Sequence, residues 1–415
     1  MTTVVVMGTL DTKGPDIGFL AAQVRRAGAT ALVVDVGLGD PVGAAPDVTA
    51  DEVAAAAGAD RAALRAAGDR GAAVTAMGHG AAAVARRLLQ EDRLDALLAA
   101  GGSGNSSIAA AAMAELPIGV PKLLVSTMAS GDVSPYVGAK DVAILYSVVD
   151  VAGVNRVSRT ILGNAAAAAV GMAAAHRERA GAAAAGDERP LVAASMFGVT
   201  TPAVVAAQEH LTGLGYEVLV FHATGAGGRA LEALAEARMV AGVLDLTTTE
   251  MADDLVGGVL TAGPHRLEAA GRAGLPQVVA PGALDMVNFG PEATVPDRFA
   301  GRTLFVHNPT ITLMRTTADE MAELGRRIAG KLAAATGPTE VFWPEGGVSA
   351  LDAPDMPFAD PAADAACLSA LESGLAGSGV PVHRRPEHVN DPAFAVAMAQ
   401  RLHEMITAAT VEEER

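Results

Sequence analysis

Seven small or polar residues in a row, Gly101-Gly102-Ser103-Gly104-Asn105-Ser106-Ser107, join a largely apolar run at residues 94–100 to an alanine-rich segment at 108–116. Such a run reads as strand, loop and helix. Glycine lacks the Cβ that holds a ligand off the backbone, and the free N–H groups at a helix start carry the positive end of its dipole. The loop is therefore a candidate anion site, with a phosphate held by Gly101, Gly102, Ser103, Gly104, Asn105 and Ser106. A tight strand-to-helix turn that binds nothing is the alternative.

Similar loops recur. Gly8, Thr9, Asp11, Thr12 and Lys13 follow the β-branched run at residues 3–7, and Lys13 offers a point charge to a phosphate or to solvent. Asp35 lies near the end of the next apolar run, 31–36, where a dinucleotide fold places its ribose-binding acid. Neither G-x-G-x-x-G nor G-x-x-x-x-G-K-[ST] occurs, so no standard nucleotide fingerprint applies. Ser130, Gly131 and Asp132 follow the run 122–127, where Ser130 could bond a phosphate and Asp132 could hold Mg²⁺ or cap its own turn. His79 falls in a glycine-flanked turn after a strand-like piece at 73–80 and is a further ligand-contact candidate.

The second half carries another glycine-rich loop, His222 to Arg229, ahead of a helix expected from Ala230. It too is a candidate anion site. Glu250, Asp253 and Asp254 share one helical face, either as ligands for a divalent cation or as helix-start acids that offset the dipole. His307, Asp285, Glu250 and Glu345 are the candidate acids, bases or metal ligands of an enzyme with its substrate between two domains. Their spacing matches no triad, zinc motif or kinase set, so no resident metal site is assigned.

The elements that must position these loops are strands alternating with helices, the pattern of a parallel, doubly wound sheet. At 415 residues two domains are expected, 1–180 and 190–415, with residues 176–190 as the linker. A weak repeat supports this: LVAASMFGVTTP, a helix and EVLVFHATG echo VVVMGTLDTKG, a helix and ALVVDVG. The apolar fraction of 51% is largely alanine, with only 3% aromatic residues, so the core must be closely packed helices on sheets. No apolar stretch matches a membrane span or a leader, and the single Cys367 excludes a disulfide framework. A cytoplasmic protein is expected. The net charge of −17 argues against nucleic-acid or anionic-membrane surfaces, while leaving small anions open to capture by backbone N–H groups.

Taken together, GTLDTKG at Gly8, GGSGNSS at Gly101, SGDVSPYVG at Ser130, YSVVDVAGVNRVSR at Tyr146, MFGVTTP at Met196, VFHATGAGGRALE at Val220, LDLTTTEMADDLVGG at Leu244, PGALDMVNFG at Pro281, HNPTITLMRTT at His307 and GVSALD at Gly347 resemble one family. It is the Tm-1-like ATP-binding domain family, largely uncharacterised proteins of bacteria and fungi. Asn105 and Ser106 stand where the family commonly has glycine and threonine. The resemblance implies two Rossmann-like domains, which the strand–helix alternation makes doubly wound with mainly parallel sheets, together with ATP as ligand and a homodimer; Mg²⁺ would accompany the ATP if Asp132 holds it. It also implies a protein partner for the plant member of the family. That member has a further barrel domain, whose activity is not expected of these residues.

Overall fold

A computed structural model describes residues 2–182 and 189–413. The chain divides into two units, Met1–Asp187 and Glu188–Arg415. Each is an α/β unit around its own parallel sheet.

In the first unit the strands are β1 (Thr3–Gly8), β2 (Thr30–Asp35), β3 (Ala96–Gly101), β4 (Lys122–Ser126) and β5 (Val142–Tyr146). They pair in the order β2-β1-β3-β4-β5, all parallel. Because side chains alternate across a strand, Val4 and Val6 face one layer while Val5 and Met7 face the other. Val4 and Val6 pack with Ile17, Leu20 and Val24 of the helix Leu10–Arg26 and with Leu162 of the helix Arg156–Ala182. Val5 and Met7 pack with Val84 and Leu88 of the helix Arg70–Gln90 and Ile108 of the helix Ser103–Ala114. The chain leaves β1 towards β2 on one side and returns to β3 on the other. The crevice at this reversal, above the carboxyl ends of β1 and β3, is where open α/β sheets bind ligands.

The second unit contains β6 (Leu191–Met196), β7 (Glu217–His222), β8 (Gly242–Thr247), β9 (Gln277–Gly282), β10 (Met286–Phe289), β11 (Leu304–Asn308), β12 (Ile311–Arg315), β13 (Thr339–Pro344) and β14 (Val382–Arg385). Six of them form a parallel sheet, β14-β13-β9-β8-β6-β7, whose reversal lies between β6 and β8. The other three form an antiparallel sheet, β10-β12-β11. Among the described residues, no helix is long and apolar enough to cross a membrane.

Several sequence expectations are corrected. The piece at 73–80 is helical, inside Arg70–Gln90, and His79 is an exposed helix residue rather than part of a turn. Its glycines serve close packing: a Cβ on Gly80 would lie 1.9 Å from the Val53 carbonyl oxygen, and one on Gly78 would lie 3.3 Å from Ala111 Cβ. Residues 176–182 of the expected linker continue the alanine-rich helix Arg156–Ala182, and 183–188 lie outside the described residues. The helix expected from Ala230 begins at Ala226, taking Gly227 and Gly228 into its first turn. The run ending at His307 is β11 of the antiparallel hairpin, not a parallel strand, because Pro309-Thr310 turns the chain back into β12. Exposed His307 therefore lies off the ligand edge of the parallel sheet.

Candidate functional site

Above the carboxyl ends of β1 and β3 lies a cavity of about 320 Å³, wholly within the first unit. Thr9, Asp11, Thr12 and Lys13 line it from the first loop, and Gly102, Ser103, Gly104 and Asn105 from the second. Two helices, Leu10–Arg26 and Ser103–Ala114, thus start at its wall, and neither N-cap residue, Thr9 or Gly102, makes a side-chain capping bond. The first N–H groups of a helix have no acceptor in the preceding turn, so the start at Ser103 offers donors and positive dipole to an anion; at the first helix Leu10 N already donates to Asp35 and Thr12 N and Lys13 N to Thr9 O, which leaves Asp11 N. Lys13 adds a cation, held loosely by Asp150 at 3.9 Å. The opposite wall is apolar, with Val36, Leu38, Val74, Met77 and Ile108.

The glycines sort into two kinds. A Cβ on Gly8 would lie 2.3 Å from Ile17 Cδ1, and one on Gly101 would lie 2.7 Å from Asn105 Cβ. These two serve packing, and neither lines the cavity. Gly102 has φ −87° and ψ −165°, extended backbone open to any residue. Its Cβ would meet only Thr127 Oγ1, at 3.7 Å, and a Cβ on Gly104 would make only ordinary contacts. Inside a helix glycine costs about 0.5–1 kcal/mol against alanine, so the fold itself favours alanine at 104. The absent side chains at 102 and 104 leave the backbone bare on the cavity side.

Other candidates lie behind or away from the cavity. Asp35 is buried, and its Oδ1 accepts from Leu10 N at 3.0 Å and Gly37 N at 2.9 Å. Burial pushes its carboxyl above the usual range, although those two bonds oppose the shift. Through Oδ1 it caps the first helix and orders the loop after β2, and it is not among the residues that line the cavity. Ser106 is buried, bonded to Ser126 through Oγ atoms 2.7 Å apart. Asn105 Nδ2 donates to the Ala100 carbonyl at 3.0 Å, which leaves its buried Oδ1 without a protein partner. Ser130, Gly131 and Asp132 are exposed and absent from the cavity lining. Asp132 Oδ1 accepts from Ser134 N at 2.9 Å, a turn that holds its carboxyl below the usual range. Asp11, by contrast, lines the cavity, and its Oδ2 accepts from Leu38 N at 3.2 Å and Gly39 N at 2.8 Å.

Sequence reasoning missed Arg70, which lines the same cavity. It stands at the start of Arg70–Gln90, after Asp69, whose side chain accepts from Ala72 N. Ala73, Met77, Ala81, Val84 and Leu88 recur at helical spacing and could have shown one helix starting here. The glycines at 78 and 80 masked it.

In the second unit the matching loop is already filled. Glu250 Oε1 accepts from Gly225 N at 2.6 Å and Gly228 N at 3.1 Å, so the anion at the start of the helix Ala226–Glu236 is the chain's own carboxylate. Arg266, fully buried, bonds Glu250 at 2.7 Å, Asp245 at 2.5 and 2.7 Å, and Glu232 at 3.2 Å. Burial opposes its charge, yet these three carboxylates more than offset that and hold it protonated. Asp245 also accepts from Ser195 Oγ at 2.7 Å, which ties β6 to β8 at the reversal of this sheet. The expected anion site at 222–229 is thus satisfied internally.

The three acids expected to share a cation are also dispersed. Glu250 goes to Arg266, Asp253 Oδ2 accepts from Asn288 Nδ2 at 2.6 Å, and Asp254 meets Thr261 and Arg327. Among the described residues no group of three or more His, Cys, Asp or Glu is placed to hold a metal. The four candidate catalytic side chains keep separate company as well. His307 is exposed on β11 and Glu250 is in the Arg266 cluster. Asp285 is buried and accepts from Ser349 Oγ at 2.7 Å, while exposed Glu345 lines a separate cavity of about 330 Å³.

That second cavity borders Asp352 and Asp364, both bonded to Arg315. Burial pushes Asp285, Asp352 and Asp364 upward, and mutual repulsion adds to it, with Asp364 reaching about 7. An unfolded aspartate titrates near 3.9, so the folded chain holds extra protons in the window between. Their stabilising effect is full below the unfolded value and is lost as pH rises through the folded ones. We expect the second unit to lose stability from about pH 4 to about pH 7, and Asp364→Asn to flatten that slope. Urea unfolding across this range measures it; a slope unchanged by Asp364→Asn contradicts the assignment.

Two mainly parallel sheets flanked by helices, the first with a cation-bearing crevice at its strand reversal, define a Rossmann-like α/β protein. The chain belongs to the Uncharacterised protein family (UPF0261), matching the N-terminal domain of that family over residues 2–178 and the C-terminal domain over 189–406. A UPF0261 protein of Clostridium tetani is 47% identical over 403 residues, covering 97% of this chain and 98% of that one. Another, from Rhizobium meliloti, is 47% identical over 398 residues, covering 96% and 97%. The ToMV resistance protein Tm-1 of Solanum lycopersicum is 43% identical over 316 residues, 76% of this chain but 42% of that protein. Among solved structures, UDP-N-acetylglucosamine 2-epimerase from Rickettsia bellii aligns over 66% of this chain and 78% of its own at 10% identity, with a TM-score of 0.21. That likeness carries no argument.

Proposed function

We propose that the first unit is a nucleotide-binding module, with ATP as the first ligand to test. The observation that carries this reading is the pair Gly102 and Gly104, bare backbone where neither conformation nor packing demands it, at the wall of the cavity above β1 and β3. The phosphates would meet the N–H groups of the two helix starts and Lys13, and the base would enter the apolar half beside Val36, Leu38 and Met77. A magnesium ion, when bound, would screen phosphate charge, and Asp11, the carboxylate in the cavity lining, would be the residue to hold it. The acidic net charge is no obstacle, because backbone donors do most of the binding.

An enzyme using His307, Asp285, Glu250 and Glu345 together gains no support from their placement: Glu250 is bonded to Arg266, Asp285 to Ser349, His307 is exposed on β11 and Glu345 lines a cavity that includes none of the other three. The reading also includes a cytoplasmic homodimer and a nucleotide-dependent protein partner. Sedimentation velocity tests the dimer. Isothermal titration of the purified chain with ATP, with and without Mg²⁺, tests the ligand when the recovered nucleotide is checked for hydrolysis. Saturable binding without turnover is the expected result. Absence of binding under both conditions rejects the reading.

A further inference from the structure

From the surroundings of Arg70 we infer that this cavity selects a ligand with two adjacent anionic groups, a nucleoside di- or triphosphate over the monophosphate, and that Arg70 is the residue that discriminates. The inference rests on the nucleotide reading above. It starts from an electrostatic mismatch. Arg70 Nη2 lies 3.6 Å from where a Cβ on Gly104 would stand, so the guanidinium lies against the first turn of the helix Ser103–Ala114. A helix start carries roughly half a positive charge, and a cation is unfavourable there. Among the described residues Arg70 has no carboxylate within salt-bridge distance, although the chain carries 47 acidic residues against 30 basic ones. The carboxylate that lines the cavity, Asp11, is bonded to Leu38 N and Gly39 N and forms no salt bridge with Arg70, so an external anion would answer both positive groups.

The second observation is the orphaned Asn105 Oδ1. It is buried, and it belongs to a cavity-lining residue whose amide nitrogen is already committed to Ala100. A ligand hydroxyl or a bridging water would satisfy it.

The site therefore has two anion foci. One is the first turn after Thr9, with Thr12 and Lys13, at the end of β1. The other is the first turn after Gly102, with Arg70, at the end of β3. β1 and β3 are hydrogen-bonded neighbours, which sets the foci on strands about 5 Å apart. One phosphate can engage one focus fully; adjacent phosphates engage both. Arg70 suits the terminal group because its planar fork can grip two phosphate oxygens, which a lysine cannot.

The test is isothermal titration of the full chain with AMP, ADP and ATP, with Mg²⁺ and with EDTA, on the natural protein and on Arg70→Gln. A charge-assisted contact of this kind corresponds to about a tenfold or larger difference in affinity. ADP and ATP are expected to bind at least that much more tightly than AMP, and Arg70→Gln to bring the three close together. If the nucleotides bind with equal affinity, or if Arg70→Gln leaves their ratio intact, the inference is overturned while the nucleotide reading stands. If none binds, both fall. Far-ultraviolet circular dichroism and thermal unfolding of Arg70→Gln separate loss of selectivity from loss of fold, since this exposed side chain holds no element in place.

Discussion

Replacing Arg266 by alanine is expected to destabilise the second unit by about 3–5 kcal/mol, because it strands buried carboxylates without their cation. Arg266 is fully buried and is bonded to Asp245, Glu250 and Glu232, and through them it fixes three parts of the unit. Glu250 holds the loop before the helix Ala226–Glu236 through Gly225 N and Gly228 N. Glu232 accepts from Leu267 N, Glu268 N and Ala269 N, and Asp245 joins β8 to Ser195 of β6. Arg266→Ala should therefore loosen the glycine loop as well as lower the unfolding midpoint. Urea titration of the full chain, followed by a probe in the second unit, reads the effect. A loss below about 1 kcal/mol would show that the three carboxylates find water or protons instead, and the internal-anion explanation of this loop would fail.

Gly102→Val should act in the opposite sense, sparing the fold and removing the ligand. Its backbone conformation is ordinary for valine, and its Cβ meets only Thr127 Oγ1. The stability change should stay within about 1 kcal/mol. The two branched methyls would stand where a phosphate approaches the N–H groups of Ser103 and Gly104. Each charge-assisted bond lost corresponds to about 1.5–3 kcal/mol, so nucleotide affinity should fall roughly tenfold to a hundredfold or more. Gly101→Val is the contrasting control. Its Cβ would stand 2.7 Å from Asn105 Cβ, and overpacking of that kind costs about 1–3 kcal/mol in stability. A Gly102→Val variant that binds ATP normally would take this loop out of the site.

Much of the fold is legible because its information is local. The β-branched run before Gly8 and the loop after β3 announce strand-to-helix turns by composition alone, and the structure places them side by side. Neither loop says what fills it. GGSGN at Gly101 and GAGG at Gly225 read alike, yet one faces a cavity and the other encloses Glu250, more than twenty residues along the chain. Asp35 is ambiguous for a related reason: an acid at the end of β2 serves equally to bond a ribose or to cap the preceding helix, and its bond from the Leu10 N–H cannot be read from the sequence. Arg70 was hidden because it reaches Gly104 from a separate helix. The antiparallel β10-β12-β11 sheet escaped notice because short runs between prolines carry no period that distinguishes a hairpin from a parallel strand.

The most direct test is hydrogen exchange of the full chain followed by mass spectrometry, with and without saturating ATP and Mg²⁺. Slowed exchange is expected in peptides spanning residues 9–13 and 102–107, with 225–229 unchanged because Glu250 already occupies those N–H groups. Protection at 225–229 with none at 102–107 would contradict the account, placing the ligand in the unit whose glycine loop is closed by its own carboxylate.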